Sequence, residues 1–326
     1  MKIARSLRAA LGGVVLWSIA LACFAQAYPS KPIRVIVPFA AGGANDLVAR
    51  ALQRPLGRVL NGTIVVENLP GASTKIGVNE LMKSAPDGYT LMLAGNVAIM
   101  GYYYSGIYDT KVWDQMTVLG QTGQMAWGMF EVRADSPIKS WADLVSYAKK
   151  NPGKLSAGGP APGGMMNLFV LETAKTSGID VTYVPFAGGG PSGTALLGGH
   201  IEYRVAQPSE VYPNVRAGKT RGLAIAFAHR IPEMPDVPTF KELGIMFDVP
   251  PFGFDFWAPA NLPPAIASQV TKAVEQAIKD PEFVEVARRL VYQPVFTGPD
   301  ALRASMKEFE KNIGPKLVAA FPPDKK

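Results

Sequence analysis

Cysteine and histidine are almost absent from this chain of 326 residues, which has one Cys and two His. Cys23 lies in an N-terminal segment that we expect to be removed, so disulfides, thiol nucleophiles and thiolate metal sites are excluded from the remainder. A zinc site would need carboxylates to complete His200 and His229, and no H-E-x-x-H pattern occurs. We therefore expect no bound metal and no metal catalysis.

Charged residues are also sparse, at 18% of the chain, whereas apolar residues make up 48%. This balance is typical of a globular protein and excludes a disordered one. Three of the 33 basic residues lie in the N-terminal segment that we expect to be removed. The remaining 30 basic and 26 acidic residues give a net charge of about +4. Without any Lys/Arg run, that charge predicts a small anionic ligand and no nucleic acid partner. The length favours two domains.

The first 27 residues have the pattern of a secretory signal peptide. Basic residues at positions 2, 5 and 8 precede an apolar run over 9–24, and an A-x-A triplet at 25–27 follows. We therefore expect export to the periplasm with cleavage after Ala27. The run is short for a membrane anchor and has no cationic flank on its far side. A lipoprotein attached through Cys23 stays open as an alternative.

The rest of the chain alternates between predicted strands and helices. This order favours right-handed crossovers and parallel sheets. We expect crossings between two domains at 130–135 and 244–253. The predicted strands cover 33–39, 63–67, 89–94, 154–157, 181–186, 201–206, 222–228 and 252–258; the predicted helices cover 46–60, 75–84, 141–150, 165–177, 192–197, 208–217, 264–279 and 299–313.

A near-duplicate motif ends two of the predicted strands. V-P-F-A-A-G-G at 37–43 recurs as V-P-F-A-G-G-G at 184–190, and a third Gly-rich loop covers 158–164. Glycines at a strand end, just before a helix, let backbone N–H groups point at an anion. Facing loops from two domains would form a cleft for a carboxylate or phosphate. Such loops are also common turns without any ligand.

Catalytic motifs are incomplete. G-x-G-x-x-G fits residues 188–193, but no acidic residue ends the following strand, as a dinucleotide site requires. Gly218-Lys219-Thr220 resembles the end of a P-loop, but Pro213 replaces the required glycine. No G-x-S-x-G elbow is present. Asp46 either caps its helix or contacts a ligand. We expect neither an enzyme nor a cofactor.

Several motifs occur together in the order of one known family. They are Y-P-S-K-P-I at 28–33, V-P-F-A-A-G-G at 37–43 with Asp46 and Arg50, V-E-N at 66–68, P-D-G-Y-T at 86–90, V-P-F at 184–186 and P-D-V-P-T at 235–239. On these residues, the chain resembles the periplasmic solute-binding receptors of tripartite tricarboxylate transporters, called Bug receptors. The resemblance covers residues 28–320.

The resemblance implies an α/β fold of two domains, a Venus flytrap of the type II-like periplasmic-binding-protein class with a ligand cleft between the domains. Domain 1 would comprise 28–130 and 250–326, and domain 2 would comprise 131–249. The implied function is capture of a small organic carboxylate for membrane transporter subunits, by a monomer without catalysis. A sensing receptor for a signalling partner and a periplasmic enzyme stay open as alternatives.

The family's ligand positions fall on three loops and their neighbours. Where the family has a hydroxyl and a histidine, Gly164 is followed by Met165, Met166 and Asn167. A monocarboxylate or aromatic acid is therefore an option beside a dicarboxylate, and Trp127 and Met129 either add apolar surface or pack in the core. The expected ligand-binding residues are Phe39, Ala40, Gly42, Gly43, Asp46, Ala94, Gly95, Asn96, Gly163, Gly164, Met165, Phe186, Gly188 and Gln207.

Overall fold

The computed structural model describes residues 28–227, 229–245 and 252–322. The expected signal peptide and its cleavage site lie outside these ranges. Within them, no helix combines the length and the apolar character that a membrane crossing requires.

The first sheet has five strands in the order β2-β1-β3-β10-β4. Strand β1 pairs in parallel with β2 and β3, whereas β10 runs antiparallel to β3 and β4. The antiparallel β10 therefore inserts between strands that precede it by more than a hundred residues. The strands are β1 Ile33–Val37, β2 Ile64–Asn68, β3 Thr90–Ala94, β4 Met116–Gln121 and β10 Asp255–Pro259.

The second sheet repeats this arrangement in the order β7-β6-β8-β5-β9. Strand β6 pairs in parallel with β7 and β8, and β5 runs antiparallel to β8 and β9. Each sheet thus has four strands that run in one direction and one antiparallel strand inserted among them, β10 in the first sheet and β5 in the second. The strands are β5 Met129–Arg133, β6 Ser156–Gly159, β7 Thr182–Pro185, β8 Tyr203–Ala206 and β9 Thr220–Ile225.

Eleven α-helices connect and cover these strands within the described ranges. Helices over 165–177 and 208–216 begin where the sequence predicts them, and Ser140 caps the helix that starts at Trp141 by accepting the N–H of Asp143. The helices are α1 Ala44–Leu60, α2 Lys75–Lys83, α3 Asn96–Tyr104, α4 Trp141–Lys150, α5 Met165–Ser177, α6 Gly189–Leu197, α7 Pro208–Arg216, α8 Pro264–Ala277, α9 Pro281–Arg289, α10 Pro299–Asn312 and α11 Gly314–Ala320.

The chain passes from the first sheet to the second between β4 and β5. The crossing expected at 130–135 is wrong, because Met129–Arg133 is a strand inside the second sheet. Residues 122–128 make the passage instead. The return passage lies between β9 and β10, where residues 246–251 are outside the described ranges. The domain limits 28–130 with 250–326, and 131–249, stay a prediction.

A buried ion pair links two neighbouring strands of the second sheet. Glu131 on β5 and Arg204 on β8 are both almost fully buried, and the Arg204 Nε donates to the Glu131 carboxylate. The Arg204 guanidinium also donates to the carbonyl of Gly189, at 2.7 Å, and to the carbonyl of Glu210. A desolvated pair is stable only when such further hydrogen bonds surround it. Arg204 therefore ties β8 to the starts of α6 and α7.

Candidate functional site

A cavity lies between the two sheets, at the ends where their parallel strands stop. Its volume is about 90 Å³, counted over the positions open to the centres of water molecules. Residues from both halves of the fold line it: Phe39, Ala40, Gly43, Ala44, Asn45, Gly95, Ala98, Tyr102, Trp127, Pro160, Gly164, Met165, Met166, Gly188, Gly189, Val205, Gln207, Glu210 and Phe252.

Five helices of the described part of the chain begin at this cavity. The residues that cap α1, α3, α5, α6 and α7 all line it, and none of the five caps its helix with a side-chain hydrogen bond. The first N–H groups of a helix have no partner within the helix and carry partial positive charge. Helix N-termini therefore supply partial positive charge to the cavity, whose lining contains no Lys, Arg or His. Protein carboxylates already accept the first N–H of α1 and of α3. The five cap residues are Gly43, Gly95, Gly164, Gly188 and Gln207.

The loop between β1 and α1 is held from behind by side chains that do not line the cavity. The Asp46 carboxylate accepts the N–H of Gly42 at 2.9 Å and pairs with Arg50 at 2.9 Å. Burial alone would raise the pKa of Asp46, but these hydrogen bonds hold it below its ordinary value. Gly42 has φ +79°, a conformation that strongly favours glycine. Asp46 therefore shapes the loop.

An acidic side chain from the other half of the fold reaches this loop. Glu210 on α7 accepts the N–H of Ala44, the first residue of α1, at 2.9 Å. The Glu210 carboxylate lies so close to the Gly189 backbone that a β-carbon at 189 would be 2.0 Å from its Oε2. Burial raises the pKa of Glu210, against the opposing effects of Arg204 and the Ala44 N–H. The Glu210 carboxylate thus connects the two halves of the fold at the N-terminus of α1.

The N-terminus of α3 carries a second buried carboxylate. Asp255 on β10 accepts the N–H of Asn96 at 2.5 Å and a hydrogen bond from the Gln121 side chain at 3.0 Å. Complete burial raises the pKa of Asp255 to about 8, because these two bonds offset only part of the desolvation. Asp255 is not part of the cavity lining. It supports the loop that follows β3 from behind.

The remaining wall of the cavity is apolar and largely aromatic. Trp127 packs against Phe252 with ring centroids 4.7 Å apart, and against Phe169 at 6.1 Å. Met165 and Met166 at the start of α5 also line the cavity. Methionine and aromatic side chains favour an apolar ligand body. The site therefore combines helix N-termini with an apolar, largely aromatic wall.

Comparison with known proteins identifies the family. The model of the tripartite tricarboxylate transporter family receptor matches residues 48–307. This chain belongs to that family. The receptor is 35% identical over 276 residues to a Cupriavidus necator protein described as "UPF0065 protein in gbd 5'region", with 83% of this chain and 82% of the relative covered.

Solved structures share the fold over nearly the whole chain. The periplasmic binding protein BugD has a TM-score of 0.81 at 27% identity, with 90% of the receptor and 97% of BugD covered. MatC from Rhodopseudomonas palustris, solved with malate, has a TM-score of 0.81 at 25% identity, covering 89% and 100%. An R. palustris protein solved with adipate has a TM-score of 0.80 at 25% identity, covering 90% and 98%. The receptor thus has the two-domain periplasmic-binding-protein fold.

Eight of the fourteen expected ligand residues line the cavity of the receptor, and six do not. The six lie outside the lining: two hold the first loop, two hold the end of β3 and the start of α3, one bonds to Asn167, and one lines a neighbouring groove. Their role as ligand contacts stays a prediction. The eight are Phe39, Ala40, Gly43, Gly95, Gly164, Met165, Gly188 and Gln207; the six are Gly42, Asp46, Ala94, Asn96, Gly163 and Phe186.

Sequence reasoning missed two polar residues of the lining. Asn45 and Glu210 both line the cavity. Glu210 is the third residue of α7 and follows Pro208, a pattern typical of an acidic residue in a first helical turn. That signal predicts a helix-end acid but gives no direction for its side chain. Trp127 lines the cavity, whereas Met129 is fully buried on β5.

Proposed function

We propose that this chain is a periplasmic receptor that captures a small organic carboxylate between its two lobes and presents it to the membrane subunits of a tripartite transporter. The observation that carries this proposal is the convergence of five helix N-termini on one cavity. Aligned helix ends bind an anion through backbone N–H groups, with no cationic side chain required. The similar proteins solved with malate and with adipate support the same ligand class.

Closure of the two lobes would couple binding to transport. Ligand contacts from both sheets favour the closed form, because only that form brings both sets of N–H groups to the same anion. A membrane partner could then distinguish the closed form from the open one. In this proposal the two lobes follow the expected domains, 28–130 with 250–326 and 131–249, except that the first boundary moves back to the passage at 122–128. Export, cleavage after Ala27 and a monomeric state belong to the same proposal.

The proposal includes no catalysis. The lining contains no Ser, Thr, Cys or His, and its one carboxylate, Glu210, has no neighbouring nucleophile in that lining. The described residues also hold no cluster of three or more His, Cys, Asp or Glu side chains that could bind a metal ion. A bound acid should therefore be recovered unchanged after incubation.

Binding is tested by calorimetry and thermal unfolding of residues 28–326 with succinate, malate, adipate, citrate, benzoate and ω-amino acids. A ligand at about 100 times its dissociation constant adds roughly 2.7 kcal/mol to the free energy of unfolding, and the melting temperature should rise by several degrees. Mass spectrometry then checks that the ligand is unchanged. No binding by any of these acids would contradict the proposal.

A pair of glycine variants tests the location of the site. Gly43→Val adds side-chain atoms at the cavity, where an added β-carbon would lie 3.5 Å from Glu210 Oε1. Gly298 caps α10 with similar backbone angles, but it lies outside the cavity lining. We expect Gly43→Val to weaken binding at least about 100-fold, or about 2.7 kcal/mol. Gly298→Val should bind normally, and equal affinity of the two variants would refute the location.

A further inference from the structure

Glu210 places a carboxylate inside a cavity that is otherwise suited to anions. It lines the cavity and accepts the N–H of Ala44, which would otherwise be available to the ligand at the end of α1. It is the third residue of α7, so it also lies in the first turn of a second helix. Two helix ends favour its ionised form. The protein thus supplies an anion of its own at this end of the cavity.

No cation pairs with this carboxylate in the described part of the chain. The nearby Arg204 directs its guanidinium to Glu131, to the Ser192 hydroxyl and to the backbone carbonyls of Gly189 and Glu210. Its charge is therefore matched by Glu131. A buried carboxylate without a paired cation is costly unless a ligand supplies the positive partner.

A second hydrogen-bond acceptor lines the same part of the cavity. The Asn45 side chain is 8% exposed, and its Oδ1 is buried with no hydrogen-bond partner among the described residues. Asn45 and Glu210 flank Ala44 at the start of α1, one in sequence and one across the cleft. A ligand group that donates hydrogen bonds would satisfy the two buried acceptors, Asn45 Oδ1 and the Glu210 carboxylate.

Among the described residues, the N-terminus of α5 has no such acidic side chain beside it, and it packs against α3, where a β-carbon at Gly164 would lie 3.3 Å from the Tyr102 ring. At the N-terminus of α5, Gly164, Met165 and Met166 line the cavity, and the first turn contains no acidic residue. The first turn of α6 contains no acidic residue of its own, but the Glu210 carboxylate lies against its first residue, Gly189. The first N–H groups of α5 suit a carboxylate. The cavity is therefore asymmetric, with acceptors at the α1 end and donors at the α5 end.

We propose that Glu210 determines ligand specificity, by accepting hydrogen bonds from an ammonium group of the ligand and by repelling a second carboxylate. The ligand class is then an amino-carboxylate whose carboxylate faces the N-terminus of α5. This inference rests on the proposed carboxylate receptor function and narrows it. Burial as the largest cause of the raised pKa of Glu210 agrees with a carboxylate that lacks a positive partner until the ligand arrives.

Matched compounds of equal chain length test the inference. Calorimetry compares succinate with 4-aminobutanoate, glutarate with 5-aminopentanoate, and adipate with 6-aminohexanoate. In each pair one carboxylate is replaced by an ammonium group on a chain of nearly the same size. The receptor should bind the amino-carboxylate at least about tenfold more tightly in the pair that fits its cavity, since like charges in one site repel. A receptor that prefers all three dicarboxylates, or binds no member of these pairs, overturns the inference.

The variant Glu210→Gln then assigns the preference to this residue. Glutamine keeps an oxygen for the Ala44 N–H and removes the charge. We expect the preference for the amino-carboxylate to fall at least about tenfold, while Glu308→Gln, an exposed control on α10, leaves it unchanged. A preference that persists in Glu210→Gln refutes the role of Glu210. Binding of benzoate or malate by the same protein would still support the carboxylate receptor, so the two proposals fail separately.

Discussion

The buried carboxyl of Asp255 should make the stability of the receptor depend on pH. Burial raises its pKa to about 8 in the folded protein, against an ordinary value of 3.8 in the unfolded chain. Between pH 3.8 and about 8, the Asp255 carboxyl is protonated in the folded protein and ionised in the unfolded chain. Folding therefore takes up a proton, and the free energy of unfolding should fall by about 1.4 kcal/mol for each unit that the pH rises. The whole effect amounts to about 6 kcal/mol and ends above pH 8.

Asp255→Asn removes this titration while keeping the local hydrogen bonds. Its amide oxygen can accept the Asn96 N–H, and its amide nitrogen can donate to Gln121 once that side-chain amide is turned over. Urea unfolding at pH 5, 6, 7 and 8 should show the variant gaining about 1.4 kcal/mol per pH unit relative to the native chain. The exposed Asp180→Asn serves as the control. Parallel stability curves for the native chain and Asp255→Asn would refute the reasoning.

Two further substitutions test contacts of the second sheet. Gly189→Ala places a β-carbon against the Glu210 carboxylate. The carboxylate must then move and lose its hydrogen bond from the Ala44 N–H. We expect calorimetry with 6-aminohexanoate to show roughly tenfold weaker binding, and unchanged affinity would contradict this placement of Glu210. Arg204→Met leaves Glu131 buried without its cation, so urea unfolding should show a loss of about 3–5 kcal/mol. A second substitution, Glu131→Met, should restore most of that loss, and a single-variant cost below about 1 kcal/mol would count against a buried ionic pair.

The parallel strand–helix units could be predicted because each is encoded locally. Helix α5 spans Met165–Ser177 as predicted, and Ser140 with Asp143 marks the start of α4. Helix α3, in contrast, was missed because it is apolar on nearly all sides. A helix buried on most of its surface has no polar face and so gives no helical period. The strands over 116–121 and 129–133 were also missed, which misplaced the expected crossing.

The glycine loops gave the location of the cavity but not all of its chemistry. Glycine after a strand is a local signal, and Gly43, Gly164 and Gly188 line the cavity as expected. A short motif also contains residues that support the loop from behind. Asp46 and Gly42 belong to the same motif, but they bond to each other outside the cavity lining. The sequence order alone does not separate the two roles, because they differ only in side-chain direction.

The sequence by itself determined the two α/β halves and the backbone N–H groups at their strand ends, since both follow from periodicity and glycine position within short segments. Only the tertiary structure decided what fills the space between them. Glu210 meets Ala44 across 166 residues, and Asp255 meets Asn96 across 159. Such contacts depend on how two sheets pack, and no local pattern encodes that packing. The charge inside the cavity is therefore a property of the folded protein.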